Sequence, residues 1–189
     1  AAGLPEEVCG PLAVAVQDAG YDSIWANDHP FAKGLETLAE FAGAADDIDL
    51  GVAVIALDRQ GADVIAEDIK RLDLDPARLW IGVGAGFSKK PLTFMKEQVS
   101  VLRETLPDVK LVMAAMGPKM CALAGSEFDG AFFNWMTPGF ASGAREKVEA
   151  GAAEAGHVAP PVFCYVRTAI GDDSVERLAK EEAFYRDLH

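Results

Sequence analysis

Leu50-Gly51-Val52-Ala53-Val54-Ile55-Ala56 runs for seven residues without a polar side chain, just after the acidic turn Asp46-Asp47-Ile48-Asp49. A strand with one wet face alternates polar and apolar residues. A run apolar on both sides belongs to a strand covered on both faces, which is the mark of a parallel sheet. Similar runs recur, and strands are expected over 23–26, 50–56, 79–83, 111–115, 130–134 and 162–170. Segments with helical spacing are expected over 6–19, 35–45, 63–72, 93–106, 119–125, 143–155 and 174–188. Parallel strands need crossover connections, so this alternation predicts an α/β fold with a parallel sheet. No internal repeat, linker or low-complexity tract divides the chain, and one domain over residues 1–189 is expected.

The chain has 189 residues, of which 50% are hydrophobic and 25% charged, enough for one sizeable core. Its formal net charge of -13 repels nucleic acid and anionic membranes. An anionic ligand would have to be met locally, by a few Lys, Arg or backbone N–H groups. No apolar run approaches the roughly 20 residues that cross a bilayer. The N-terminal residues carry no basic leader, and a cytoplasmic protein is expected. Cys9, Cys121 and Cys164 form no CxxC pair and are expected to be buried or half-buried thiols, neither metal ligands nor a disulfide. His29, His157 and His189 lack metal-ligand spacing, so no metal site is expected.

In folds of this class ligands gather at the C-terminal ends of the strands. Gly20-Tyr21-Asp22-Ser23-Ile24-Trp25-Ala26-Asn27-Asp28-His29 places two ionisable side chains at such an exit. His29 can donate or accept a proton near neutral pH, and Asp28 can contact a ligand or cap the following turn. Gly82-Val83-Gly84-Ala85-Gly86 lets backbone N–H groups approach a ligand, or is simply a tight turn. It lacks the third glycine and the later acidic residue of a dinucleotide fingerprint. Ala114-Ala115-Met116-Gly117-Pro118-Lys119-Met120 leads a strand into a helix N-terminus with a cation in its first turn, which suits a phosphate, or is simply a proline helix start with a solvated lysine. Asn134-Trp135-Met136-Thr137-Pro138 leaves the next strand. Arg167 stands inside an otherwise apolar segment, where a charge pairs with a carboxylate or faces a ligand.

Taken in order, Gly20–Phe31, Leu50–Val54, Pro76–Gly86 and Ala115–Met120 resemble the bacterial-luciferase-like superfamily of flavin and deazaflavin oxidoreductases. Asn134–Pro138 and Tyr165–Gly171 are most similar to its coenzyme F420-dependent branch. The resemblance implies a parallel (β/α)8 TIM-barrel type fold, commonly dimeric, with the cofactor at the C-terminal mouth. A full barrel takes about 250 residues, so a barrel incomplete at both ends is expected. By position, Asp28 would contact a deazaflavin and His29 would be the catalytic proton donor or acceptor. Ala53 and Val54 would lie where the family often has a non-proline cis peptide behind the ring. Ala85 and Gly86 would line the ring or its side chain, and Met116, Gly117, Lys119 and Met120 would hold the side chain and phosphate. Phe87 stands where sugar-phosphate dehydrogenases of this branch carry a catalytic Glu, which argues against that substrate class. The implied activity is hydride transfer between F420 (8-hydroxy-5-deazaflavin) and a small-molecule substrate of unknown identity, in a homodimer. The alternatives are an FMN-dependent monooxygenase and a non-catalytic flavin-binding relative.

Overall fold

The computed structural model describes residues 4–187, and side chains as far as residue 183. Strands β1 (Ser23–Ala26), β2 (Asp49–Ala56), β3 (Leu79–Gly84), β4 (Lys110–Ala114), β5 (Gly130–Asn134) and β6 (Val162–Tyr165) form one sheet. Their spatial order is their chain order, and every neighbouring pair is parallel. Helices α1 (Glu6–Asp18), α2 (Gly34–Ala42), α3 (Ala62–Arg71), α4 (Pro91–Thr105), α5 (Pro118–Glu127), α6 (Pro138–Ala155) and α7 (Ser174–Asp187) precede, connect and follow the strands. Among the described residues no helix is long and apolar enough to cross a membrane.

The sheet is curled into a partial barrel. A flat sheet with strands about 4.8 Å apart would hold β1 and β6 some 24 Å from each other. Instead, the ring centroids of Trp25 on β1 and Phe163 on β6 lie 4.9 Å apart. Trp25 also lies 5.5 Å from Phe132, and Phe163 lies 5.2 Å from Trp80, so four rings plug the concave side. Gly51 makes the room: a Cβ on it would run into the Trp25 indole. At the entry end of β2, Asp49 accepts hydrogen bonds from Trp80 Nε1 at 2.7 Å and Lys110 Nζ at 3.2 Å.

Residues of the other parity form the convex face. Ile24, Ala26, Leu50, Val52, Leu79, Ile81, Leu111, Met113, Ala131 and Phe133 are buried in one core with Leu38, Phe41, Ile65, Met95, Leu102 and Ala124 of the helices. This is why the strands read as continuous apolar runs, since both faces are covered.

Three expectations need correcting. The sixth strand ends at Tyr165, because its ladder partner β5 ends at Asn134 opposite it and the chain beyond has nothing to pair with. Arg167 therefore follows the strand. Helix α6 begins at Pro138, where the expected start is 143: the Thr137 hydroxyl accepts from Phe140 N at 3.4 Å and Pro138 takes the first turn. Cys164 is exposed, on the outer face of an edge strand, while Cys9 and Cys121 are buried as expected. The expected end of the last helix at Leu188, and His189, lie outside the described residues.

Two predictions come from this packing. Gly51→Ala should lower stability by about 1–3 kcal/mol through overpacking against Trp25, seen as a lower urea midpoint at unchanged m-value. Thiol titration of the native protein should show one fast group, Cys164, with the other two reacting only on unfolding. Burial pushes the Cys121 and Cys9 thiols up from their ordinary value, with the Glu40 carboxylate adding to the rise at Cys9, and the thiolate is the reacting species.

Candidate active site at the mouth of the sheet

The C-terminal strand ends surround a cavity of about 920 Å³. Its most regular wall comes from β2, β3 and β4. Val52 pairs with Ile81 and Ile55 with Val83, so β2 spends one more residue than β3 between these points. The resulting bulge carries Ala53 and Val54, joined by a cis peptide bond, to the cavity wall. Bulges of this kind re-aim residues beside functional sites. Gly82 accommodates it across the ladder, since a Cβ there would lie 2.5 Å from Val52 O and 3.1 Å from Val54 Cγ1. Gly84, Ala85, Ala114 and Ala115 continue the wall, which is built of small apolar residues.

Gly86 closes the β3 exit in the left-handed region, at φ +58°. The Asp58 carboxylate fills the space a side chain would need there and accepts from Phe87 N at 2.8 Å. One carboxylate thus ties the exits of β2 and β3 together. A charged acceptor on a backbone N–H is among the stronger hydrogen bonds available to a loop.

Asp28 and His29 leave β1 over the same cavity. The Asp28 side chain is only 6% exposed, with Arg59 Nη2 3.5 Å from Oδ2. Its Oδ1 accepts from Gly34 N at 3.0 Å, so it satisfies an orphan donor at the start of α2. Asp28 therefore lines the cavity and also caps α2, as one reading of its sequence position expected. His29 and Ala32 exchange two backbone hydrogen bonds of 3.0 Å around a tight turn. The His29 Nδ1 accepts from Phe31 N at 3.4 Å, which leaves the proton of the neutral ring on Nε2.

Of the residues singled out in sequence, Asp28, His29, Ala53, Val54, Ala85, Gly86, Met116, Gly117 and Met120 line this one cavity. Lys119 does not: it is exposed in the first turn of α5, outside the wall. The opposite wall was not foreseen as a unit. Asn134 and Tyr165 face each other across the β5–β6 ladder, Arg167 follows, and Lys180 and Glu181 approach from α7. Asn134 and Arg167 are polar groups in apolar surroundings and so left a trace in the sequence. The α7 pair sits in an ordinary charged helix and left none. Among the described residues no three His, Cys, Asp or Glu side chains gather as a metal site.

Residues 10–110 and 96–189 match the luciferase-like monooxygenase family. A 5,10-methylenetetrahydromethanopterin reductase of Methanolobus tindarius is 27% identical over 179 residues, which cover 76% of this chain and 55% of that protein. The chain thus spans about half the length of this curated relative. The coenzyme F420-dependent tetrahydromethanopterin reductase of Methanopyrus kandleri superposes with a TM-score of 0.73 at 21% identity, over 92% of this chain and 66% of that one. An F420-dependent secondary alcohol dehydrogenase, solved in complex with an F420-acetone adduct, gives 0.79 at 21% identity, over 93% and 70%. These superpositions establish a shared fold. The two matched segments together run through nearly the whole sequence, and the chain belongs to the luciferase-like monooxygenase family.

Proposed function

We propose that this protein is a coenzyme F420-dependent oxidoreductase that moves a hydride between the deazaflavin and a small organic substrate. The observation that carries the reading is the wall of small apolar residues, Ala53, Val54, Gly84, Ala85, Ala114 and Ala115, in the same cavity of about 920 Å³ as His29. A planar fused ring needs a smooth apolar face and close backbone approach, and this wall fits both needs. Two structural relatives are described as F420-dependent, which supports the same coenzyme here. When bound, the deazaflavin supplies the hydride chemistry and the protein supplies position and proton handling.

In this reading Ala53, Val54, Ala85 and Gly86 back the ring and Asp28 meets its edge. Met116, Gly117 and Met120 guide the side chain toward the N-terminus of α5. There, N–H groups without helical partners and the exposed Lys119 would hold a phosphate. His29 is the proton-handling group: with its proton on Nε2 it gives one to substrate, and to take one it must first have lost that proton or released Nδ1 from Phe31 N. We take the described strands as part of a (β/α)8 barrel, the chain as one domain over residues 1–189, and the working protein as a cytoplasmic homodimer.

A titration with F420 and with FMN, followed by fluorescence quenching, tests the coenzyme. Saturable F420 binding, tighter than FMN by about tenfold or more, is expected. The reverse order would support the FMN monooxygenase reading, and no binding of either would remove the catalytic one. Lys119→Ala should weaken F420 binding, and added salt should do the same to the wild type. Unchanged affinity in the variant would make Lys119 a solvated residue. His29→Ala should lower turnover by about 10²–10⁴-fold while coenzyme affinity stays nearly constant. Full activity in that variant would route the proton through water.

A further inference from the structure

Arg167 is the most confined cation at the mouth of the sheet. Its side chain is 17% exposed. The guanidinium lies 4.4 Å from the centroid of the Tyr165 ring and 5.5 Å from that of Trp135, so two aromatic groups bracket it. A planar cation held in this way presents a fork of N–H donors that matches a carboxylate. It carries one already: Glu181 Oε2 lies 2.9 Å from Arg167 Nη1. Glu181, however, is 51% exposed on α7, and ion pairs with a half-exposed member are weak. Both residues line the cavity.

The surroundings favour an anion at the same spot. Asn134, on the neighbouring strand, has its Oδ1 buried with no hydrogen-bond partner. Asn134 also lines the cavity, and its amide carries an NH₂ donor beside the orphaned oxygen. The Tyr165 hydroxyl lies 3.5 Å from Arg167 Nη1. In a chain of net charge -13, a confined arginine beside a donor amide is the local cation an anionic guest requires. The opposite wall is apolar, so the cavity has a face for a flat ring and a separate face for a charged group.

We propose that Arg167 is the recognition residue for a carboxylate on the small-molecule substrate, and that Glu181 occupies the guanidinium until the substrate displaces it. That the guest is a substrate rests on the oxidoreductase reading; the carboxylate preference of Arg167 does not. A carboxylate guest fits better than a phosphate, because the partner already seated on Arg167 is a carboxylate.

The test uses the full chain, with succinate as probe, succinamide as its uncharged twin and inorganic phosphate as the competing anion. Binding is read from the tryptophan emission of Trp135, which neighbours Arg167. Succinate should bind saturably, and more tightly than succinamide or phosphate. Glu181→Gln, at an exposed position, should tighten succinate binding by about three- to tenfold because it removes the internal competitor. Arg167→Gln should weaken it by about tenfold or more, and Arg167→Lys, which keeps the charge without the fork, should fall between. Circular dichroism checks that each variant folds. No saturable succinate binding in the wild type or in Glu181→Gln would overturn the proposal. So would weaker binding in Glu181→Gln, unchanged binding in Arg167→Gln, or tighter binding of phosphate than of succinate. An F420 titration separates the two readings: Arg167→Gln should keep coenzyme affinity, and losing it would assign the guanidinium to the coenzyme instead. Succinate binding in a protein that takes no F420 would support the carboxylate site and remove the oxidoreductase.

Discussion

The indole of Trp25 lying in the space left by Gly51 is the contact on which the shape of this molecule depends. A parallel sheet is stable only when both faces are covered. Helices cover the convex face here, but among the described residues no layer of helices covers the concave one. The sheet covers it with its own side chains, by curling until Trp25 of the first strand meets Phe163 of the last. Any side chain at position 51 would push the indole out and open the curl. The same curl brings the strand exits around one cavity, so the site is a product of the packing below it.

Much of this was legible in the sequence because it rests on local rules. Continuous apolar runs gave the strands to within a residue or so at β2 through β5. The errors fall where a partner decides. The sixth strand reads as nine residues of β-prone sequence, yet its ladder stops with Asn134 of β5, a limit no residue in 162–170 can announce. Cys164 looks like a core thiol and is bare because it sits on the outer face of an edge strand. The early start of α6 had a signal, Thr137-Pro138, that hydrophobic spacing overrode.

The candidate site divides in the same way. Residues contributed by short motifs at strand exits converge on the cavity: Asp28 and His29, the Ala53–Val54 bulge, the Ala85–Gly86 turn. The bulge itself lies in a plain apolar run, and only the family resemblance pointed to it. Lys119 shows that a motif can place a residue near a site without turning it inward. Glu181 shows the converse, since its part in the wall comes from the path of α7 and not from its neighbours in sequence.

The four rings of Trp25, Trp80, Phe132 and Phe163, with Asp49 and Lys110 at the strand entries, stop the entry end of the curled sheet like a cork. A vessel corked at one end fills and empties through the other. Any guest at the strand exits therefore comes and goes past the same loops that line its seat.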